Sequence, residues 1–290
     1  IDCISIFALT AIDAEIVSNI MEGYDTQDSY SRVNPQTAPA NFSQSLNFAI
    51  PAQLEFFADE QSKTAYENAL QQLKALGATF TPIDFSAFSI LAAQLYQGSW
   101  VAERTAAVTD LLKTNHQDFD PTVLEIIQKG HQYSAVDAYQ AEYLKQDLAR
   151  FIQMQLAEFD ALIVPTSPTI HRIEDMVTAP IENNSHFGTY TNFTNLADLS
   201  ALAVPAGFRR DGLPFGITLI APAWHDTALL DFAKTWQQHT NLPLGAFNKK
   251  LPQQEHSQTV SAHHFRVAVV GAHLTGMPLN FQLTTRHAVH

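Results

Sequence analysis

Ser45-Leu-Asn-Phe-Ala-Ile-Pro51, then Ser62 to Leu76 closed by Gly77, then Thr79-Phe-Thr-Pro-Ile-Asp84: these three segments set the architecture of the chain. The first segment alternates as a strand does. The second puts Ala65, Ala69, Leu70, Leu73 and Leu76 on one side of a helix of about four turns, and glycine ends it. The third is a strand again. Strand, helix and strand in succession are the parallel crossover unit, so the chain is α/β.

Outward from there, residues 85 to 159 are almost wholly helical, with helices expected over 86–97, 100–113, 121–130 and a long one from Ser134. Ser134 with Asp137 resembles a capping box, and Tyr139, Tyr143, Leu148, Ile152 and Leu156 mark its apolar stripe. Asp160-Ala-Leu-Ile-Val-Pro165 is the next strand. Its loop, Thr166-Ser-Pro-Thr-Ile-His171, sets small polar groups at a strand's carboxyl end, where α/β proteins build ligand sites. Towards the N-terminus, Thr10 and Asp13 cap a helix over Ala11–Met21, and residues 25–42 form a long irregular connection. The opening Ile1–Phe7 is strand-like.

Residues 188–222 form the densest part of the chain. Ser200–Pro205 and Phe215–Ile220 read as strands covered on both faces, joined by the turn Arg209-Arg-Asp-Gly-Leu-Pro214. Ahead of them, Thr189, Tyr190, Thr191, Asn192, Thr194 and Asn195 put six hydrogen-bonding side chains into seven positions. They are either the caps of a helix N-terminus or one wall of a ligand pocket. His225–His239 is a helix and Leu242–His264 a polar connection. Phe265–Gly271 is a strong strand that opens a further domain, giving 1–245, a linker at 246–264, and 265–290 as the beginning of the next unit. The apolar first residues and this late strand lead us to expect a piece of a larger protein.

Of the 290 residues, 46% are hydrophobic, enough for a sizeable core, and the net charge is −13, which disfavours nucleic acid and anionic membranes as partners. Cys3 is the only cysteine, so no intrachain disulfide is possible and a reducing, cytoplasmic setting is expected. No apolar run approaches the ~20 residues of a membrane span. No Gly-x-Ser-x-Gly elbow, phosphate-cradling loop or His-Glu-x-x-His is present. The histidines at 263, 264, 273, 287 and 290 match no compact ligand set, so neither a metal nor another cofactor is expected.

Ile1-Asp-Cys-Ile-Ser-Ile-Phe-Ala-Leu-Thr10, Gln53-Leu-Glu-Phe-Phe57, Leu95-Tyr-Gln-Gly-Ser-Trp-Val-Ala-Glu-Arg104, Ile163-Val-Pro-Thr-Ser-Pro168, Gly188-Thr-Tyr-Thr-Asn-Phe193 and Gly212-Leu-Pro-Phe-Gly-Ile-Thr-Leu-Ile-Ala-Pro222 together resemble the allophanate hydrolases of the amidase signature family. Val267-Ala-Val-Val-Gly-Ala-His-Leu-Thr-Gly-Met-Pro-Leu-Asn280 strengthens the likeness. The resemblance implies a mixed sheet covered by helices, incomplete at its N-terminal side. It also implies hydrolysis of allophanate in urea degradation, after a biotin-dependent urea carboxylase, by a homodimer. The family's two serines lie in a Gly/Ser-rich run, with a lysine ahead of it, and this sequence lacks that run, so the catalytic triad is expected upstream of Ile1 and the chain alone is expected to be inactive.

The resemblance places carboxylate recognition on Tyr96 and Arg104, and the polar run ahead of the strands offers Thr189, Tyr190 and Asn192 as a candidate pocket wall. A guanidinium and a phenol suit that task. On one continuous helix they would be about 12 Å apart along the axis and roughly 80° apart around it, so they meet only if the helix bends, and Gly98 is where it can. The bland alternative pairs Arg104 with a surface carboxylate and buries Tyr96 in the core. The competing functions are another amidase of the family, glutamine-amidotransferase-like, and a binding or structural subunit without catalysis.

Overall fold

A computed structural model describes residues 4–245, 248–252 and 273–287. Two compact units divide the chain at Leu251/Pro252. In the first, a five-stranded mixed sheet has the order β2-β1-β3-β5-β4, with β1 Asn47–Pro51, β2 Thr79–Ile83, β3 Ala161–Pro165, β4 Leu199–Phe208 and β5 Pro214–Pro222. β1 runs parallel to both β2 and β3, and the hairpin β4–β5 adds antiparallel to β3. The crossover between β1 and β2 is α2, Glu60–Ala75.

Alternation along each strand divides the core between the two sheet faces. Phe48, Ile163 and Leu219 point to one side and are covered by Leu73 of α2 and Trp236 of α10, Asp226–Thr240. Ala49, Leu162 and Ile220 point to the other, under Leu91 of α3 (Ser86–Gln97), Ile152 of α7 (Ala135–Leu156) and Phe193. Between α3 and α7 run α4 (Trp100–Ala107), α5 (Thr109–Thr114) and α6 (Pro121–Gln128), and between β3 and β4 run α8 (Ile173–Thr178) and α9 (Pro180–Phe187). Thr10 caps α1, Ala11–Met21, and at Ser134 both hydrogen bonds of a capping box are formed, as the sequence led us to expect.

Three expectations are corrected. β4 is an edge strand and not buried on both faces: Ala201, Ala203 and Pro205 are exposed while Val204 and Ala206 are buried. Pairing on one side only is what lets it carry Pro205, which has no N–H to offer. The stripe of α7 is buried only at its end. Tyr139 and Tyr143 are 66% and 65% exposed, whereas Ile152 and Leu156 are buried. At 22 residues α7 is about 33 Å long, and α3, its packing partner at 12 residues, covers roughly half of that. Thirdly, residues 4–9 form no strand, and Ile4 and Phe7 lie exposed, because no described strand pairs with them. In the second unit, α11 (Phe281–Thr284) and the hydrogen bond from Asn280 Nδ2 to the His273 carbonyl order residues 273–287. The strand expected at Phe265–Gly271 and the connection over 253–264 lie outside the described residues.

Candidate functional site

β1 lies between β2 and β3, so the chain leaves it to one side through α2 and later returns past it to form β3 on the other. Such a reversal opens a crevice at the carboxyl ends of the two parallel strands, here between loops 52–59 and 166–172. The loop after β1 is strained there. Phe57 and Ala58 have φ of +51° and +63°, a conformation that costs a non-glycine residue about 1–2 kcal/mol. What holds it is local chemistry. The Tyr190 hydroxyl accepts the Glu55 N–H and donates to the Glu55 carbonyl at 3.1 Å, and the Phe57 ring stacks on His186 at 3.7 Å.

A second brace anchors the residue that follows them. Asp59 caps α2 by accepting from Ser62 N at 3.0 Å, and its other oxygen takes the Arg209 Nη1 at 2.6 Å. Arg209, 7% exposed, also donates to Ser62 Oγ at 2.9 Å and, through Nη2, to Asp211 at 2.6 Å. Thr169 of the loop after β3 donates to the same Asp59 oxygen at 3.3 Å. Burial by itself would raise the Asp59 carboxyl, but hydrogen bonds from Ser62 and Arg209 outweigh it and hold the group below the ordinary carboxylate range. The hairpin turn, the start of α2 and the loop after β3 are thereby joined through one carboxylate. Beside them is a cavity of about 370 Å³ lined by Ser62, Thr166, Ser167, Ile170, Phe215 and Gly216.

The polar run after Gly188 is not a helix N-terminus but a succession of turns, closed by Thr191 N to the Gly188 carbonyl at 3.1 Å and Asn192 N to the same carbonyl at 3.0 Å. The Asn192 amide packs so closely that a Cβ on Gly188 would fall 2.2–2.4 Å from it. Thr189 donates to the His186 carbonyl at 2.8 Å. Tyr190 is 3% exposed, its ring packed 5.5 Å from Phe85 and its hydroxyl committed to Glu55. Thr194 Oγ1 is buried without a hydrogen-bond partner among the described residues.

Tyr96 and Arg104 come together. α3 stops at Gln97, Gly98 is extended (φ −113°, ψ −177°), and α4 sets off from Trp100 in a new direction. The break carries the Arg104 guanidinium over the Tyr96 ring, 4.5 Å from its centroid. Tyr96 is 38% exposed, outside the core, and Arg104 forms none of the ion pairs found among the described residues. The two clusters are not adjacent along the helix that links them. Phe85 and Phe88, at the start of α3, touch Tyr190 and Phe193, whereas Tyr96 lies eight residues beyond Phe88, about 12 Å along the axis. Glu55, His171, His186 and Arg209 were not singled out by the sequence, since their partners are distant in the chain. Only the cap signal of Asp59, three residues before Ser62, was readable. Among the described residues no group of three or more His, Cys, Asp or Glu is arranged to hold a metal ion, and no helix is long and apolar enough to cross a membrane.

Residues 1–230 match the amidase family. Over its whole length the chain is 39% identical to urea amidolyase of Saccharomyces cerevisiae, of which it spans 16%. It superimposes on Kluyveromyces lactis allophanate hydrolase with a TM-score of 0.81 and 38% identity, covering 96% of this chain and 47% of that one. A component of the glutamyl-tRNA(Gln) amidotransferase of Neisseria meningitidis is 30% identical over 81% of this chain and 54% of its own length. The chain thus spans about half or less of the relatives it matches.

Proposed function

Because the chain belongs to the amidase family, we propose that it forms the substrate-recognition part of an amidohydrolase that cleaves allophanate, urea-1-carboxylate, in urea degradation, releasing ammonia and CO2. The observation that carries this reading is the break at Gly98, which brings Arg104 onto the face of Tyr96. Allophanate has a carboxylate at one end and a terminal amide at the other. A guanidinium fork binds the carboxylate through paired charge-assisted hydrogen bonds, while stacking on the phenol fixes the plane of the fork and leaves the tyrosine hydroxyl as a further donor. Similarity to allophanate hydrolase and urea amidolyase supports the choice of substrate.

The nucleophile and its lysine belong to the part of such an enzyme outside residues 1–290, so this chain by itself is inactive. The enzyme works as a homodimer, without cofactor, downstream of a biotin-dependent urea carboxylase, in the cytoplasm. The turns at Thr189–Asn192, packed against the start of α3, wall the end of the site away from Tyr96 and Arg104, and the loop after β3 forms another wall.

The test is ammonia release from allophanate by the enzyme that contains this chain. Arg104→Ala is expected to raise KM about tenfold or more, the loss of a charge-assisted pair of hydrogen bonds. An unchanged rate with allophanate would move the choice to a glutamine-amidotransferase-like amidase, the reading that the likeness to the glutamyl-tRNA(Gln) amidotransferase favours. Ammonia release by residues 1–290 alone, abolished by mutating one of their own serines, would overturn the assignment of a recognition role only.

A further inference from the structure

Two histidines meet at the mouth of the crevice. His171 ends the loop after β3, and His186 lies in the last turn of α9, Pro180–Phe187. Nε2 of His171 and Nδ1 of His186 are 3.0 Å apart. Two ring nitrogens at that distance form a hydrogen bond only while one of them carries no proton. His186 is also stacked flat on Phe57, with 14° between the rings, and its carbonyl accepts the Thr189 hydroxyl. One side-chain pair therefore ties together the strained loop after β1, the loop after β3 and the turns at 188–192.

We propose that His171 and His186 are positioning residues, a proton-dependent clamp that holds the 188–192 wall and the Phe57–Ala58 loop against the loop after β3. With both rings neutral, one shared proton lies between Nε2 and Nδ1. A first added proton goes to an outward-facing nitrogen, and the hydrogen bond survives with charge assistance. A second sets N–H against N–H with two positive charges facing each other, and the clamp opens. The hydrogen bond between the rings is therefore lost only when both carry a charge.

The charged groups around it favour the closed state near neutrality. Burial and His171 lower the His186 pKa, while Glu182 on the same helix and Glu55 from the loop after β1 oppose them, and the lowering prevails. The doubly protonated, open state therefore forms only as pH falls below the ordinary imidazole range near 6.5. The clamp concerns the shape of the crevice and holds for whatever small ligand enters it.

It is tested without ligand or turnover, by NMR titration of residues 1–290 from about pH 8 to about pH 5. The histidine ring signals and the Gly188 amide are followed in the native chain, in His171→Gln, which keeps a hydrogen-bonding side chain but cannot titrate, and in His171→Asn. The native His186 is expected to titrate below 6.5, with the Gly188 amide moving at the same midpoint. In His171→Gln its midpoint rises by about half a unit, roughly threefold in proton affinity, and the Gly188 signal no longer follows pH. The proposal is overturned if His186 keeps its native midpoint in both variants, or if Gly188 is indifferent to pH in the native chain. The native titration decides the second point even if a variant does not fold.

Discussion

Asp59 offers the sharpest test of how the crevice is held. Its carboxylate is 12% exposed and faces an Arg209 side chain that is 7% exposed, so replacing it with alanine removes the cap of α2 and strands a largely buried cation. Cap loss costs about 1 kcal/mol, and breaking a buried pair about 3–5 kcal/mol. Arg209 keeps Asp211, whose side chain is 32% exposed, so the low end of that range applies and the expected total is about 3–4 kcal/mol. Asp59→Asn separates the two contributions, because asparagine caps helices as well as aspartate but carries no charge; with the cap's share of about 1 kcal/mol kept, about 2–3 kcal/mol is expected.

Urea unfolding of both variants, followed by far-UV circular dichroism, gives the comparison. The depressed Asp59 carboxyl adds a pH dependence. Its stabilisation is complete above the unfolded value near 3.9 and is lost as pH falls through the lower folded value, so the gap between native and Asp59→Asn chains closes in acid. A loss below about 1 kcal/mol in Asp59→Ala, or equal losses in the two variants, would refute the account of a buried pair and a cap acting together.

Two further outcomes follow from the same geometry. Tyr190→Phe leaves the Glu55 N–H and carbonyl without their partner and is expected to cost about 1–2 kcal/mol, with faster hydrogen exchange at Glu55 and Phe57 and none at Ile163; exchange unchanged at Glu55 would show that the hydroxyl does not hold the strained loop. Gly98→Ala puts a Cβ 2.9 Å from the Gln94 carbonyl oxygen, which cannot swing away as the Gln94 side chain can, at a cost of about 1–3 kcal/mol. The α3–α4 angle then shifts, and the upfield ring-current displacement of the Arg104 side-chain protons should collapse; its persistence would mean that the break does not depend on glycine.

Much of the scaffold was legible because it is local. The parallel unit at 45–84, the capping box at Ser134 and the stop at Gly98 each depend on residues within a few positions of one another, and periodicity, caps and glycine report such preferences directly. The likeness of the motifs to the amidase family was legible for the same reason, being carried by short contiguous runs. Whether a strand is central or at an edge is another matter. β4 has the apolar run of a covered strand, yet its exposure depends on which strands lie beside it, and that is decided by how the whole sheet is ordered.

The same limit applies to the candidate site. Tyr190 meets Glu55 across 135 residues, and Arg209 meets Asp59 across 150. No spacing rule connects such partners, since the contact exists only once the loops between them are closed. Local pattern was enough for the α/β class, most helix limits, the hinge between Tyr96 and Arg104 and the family of the chain. It took the packed chain to stack one side chain of the hinge on the other, to commit the Tyr190 hydroxyl to backbone, and to bring two histidines, an ion-pair network and a strained loop together at the carboxyl ends of β1 and β3. Local preferences fix elements, whereas a site is made where elements distant in sequence are brought together, and that is a property of the packed sheet as a whole.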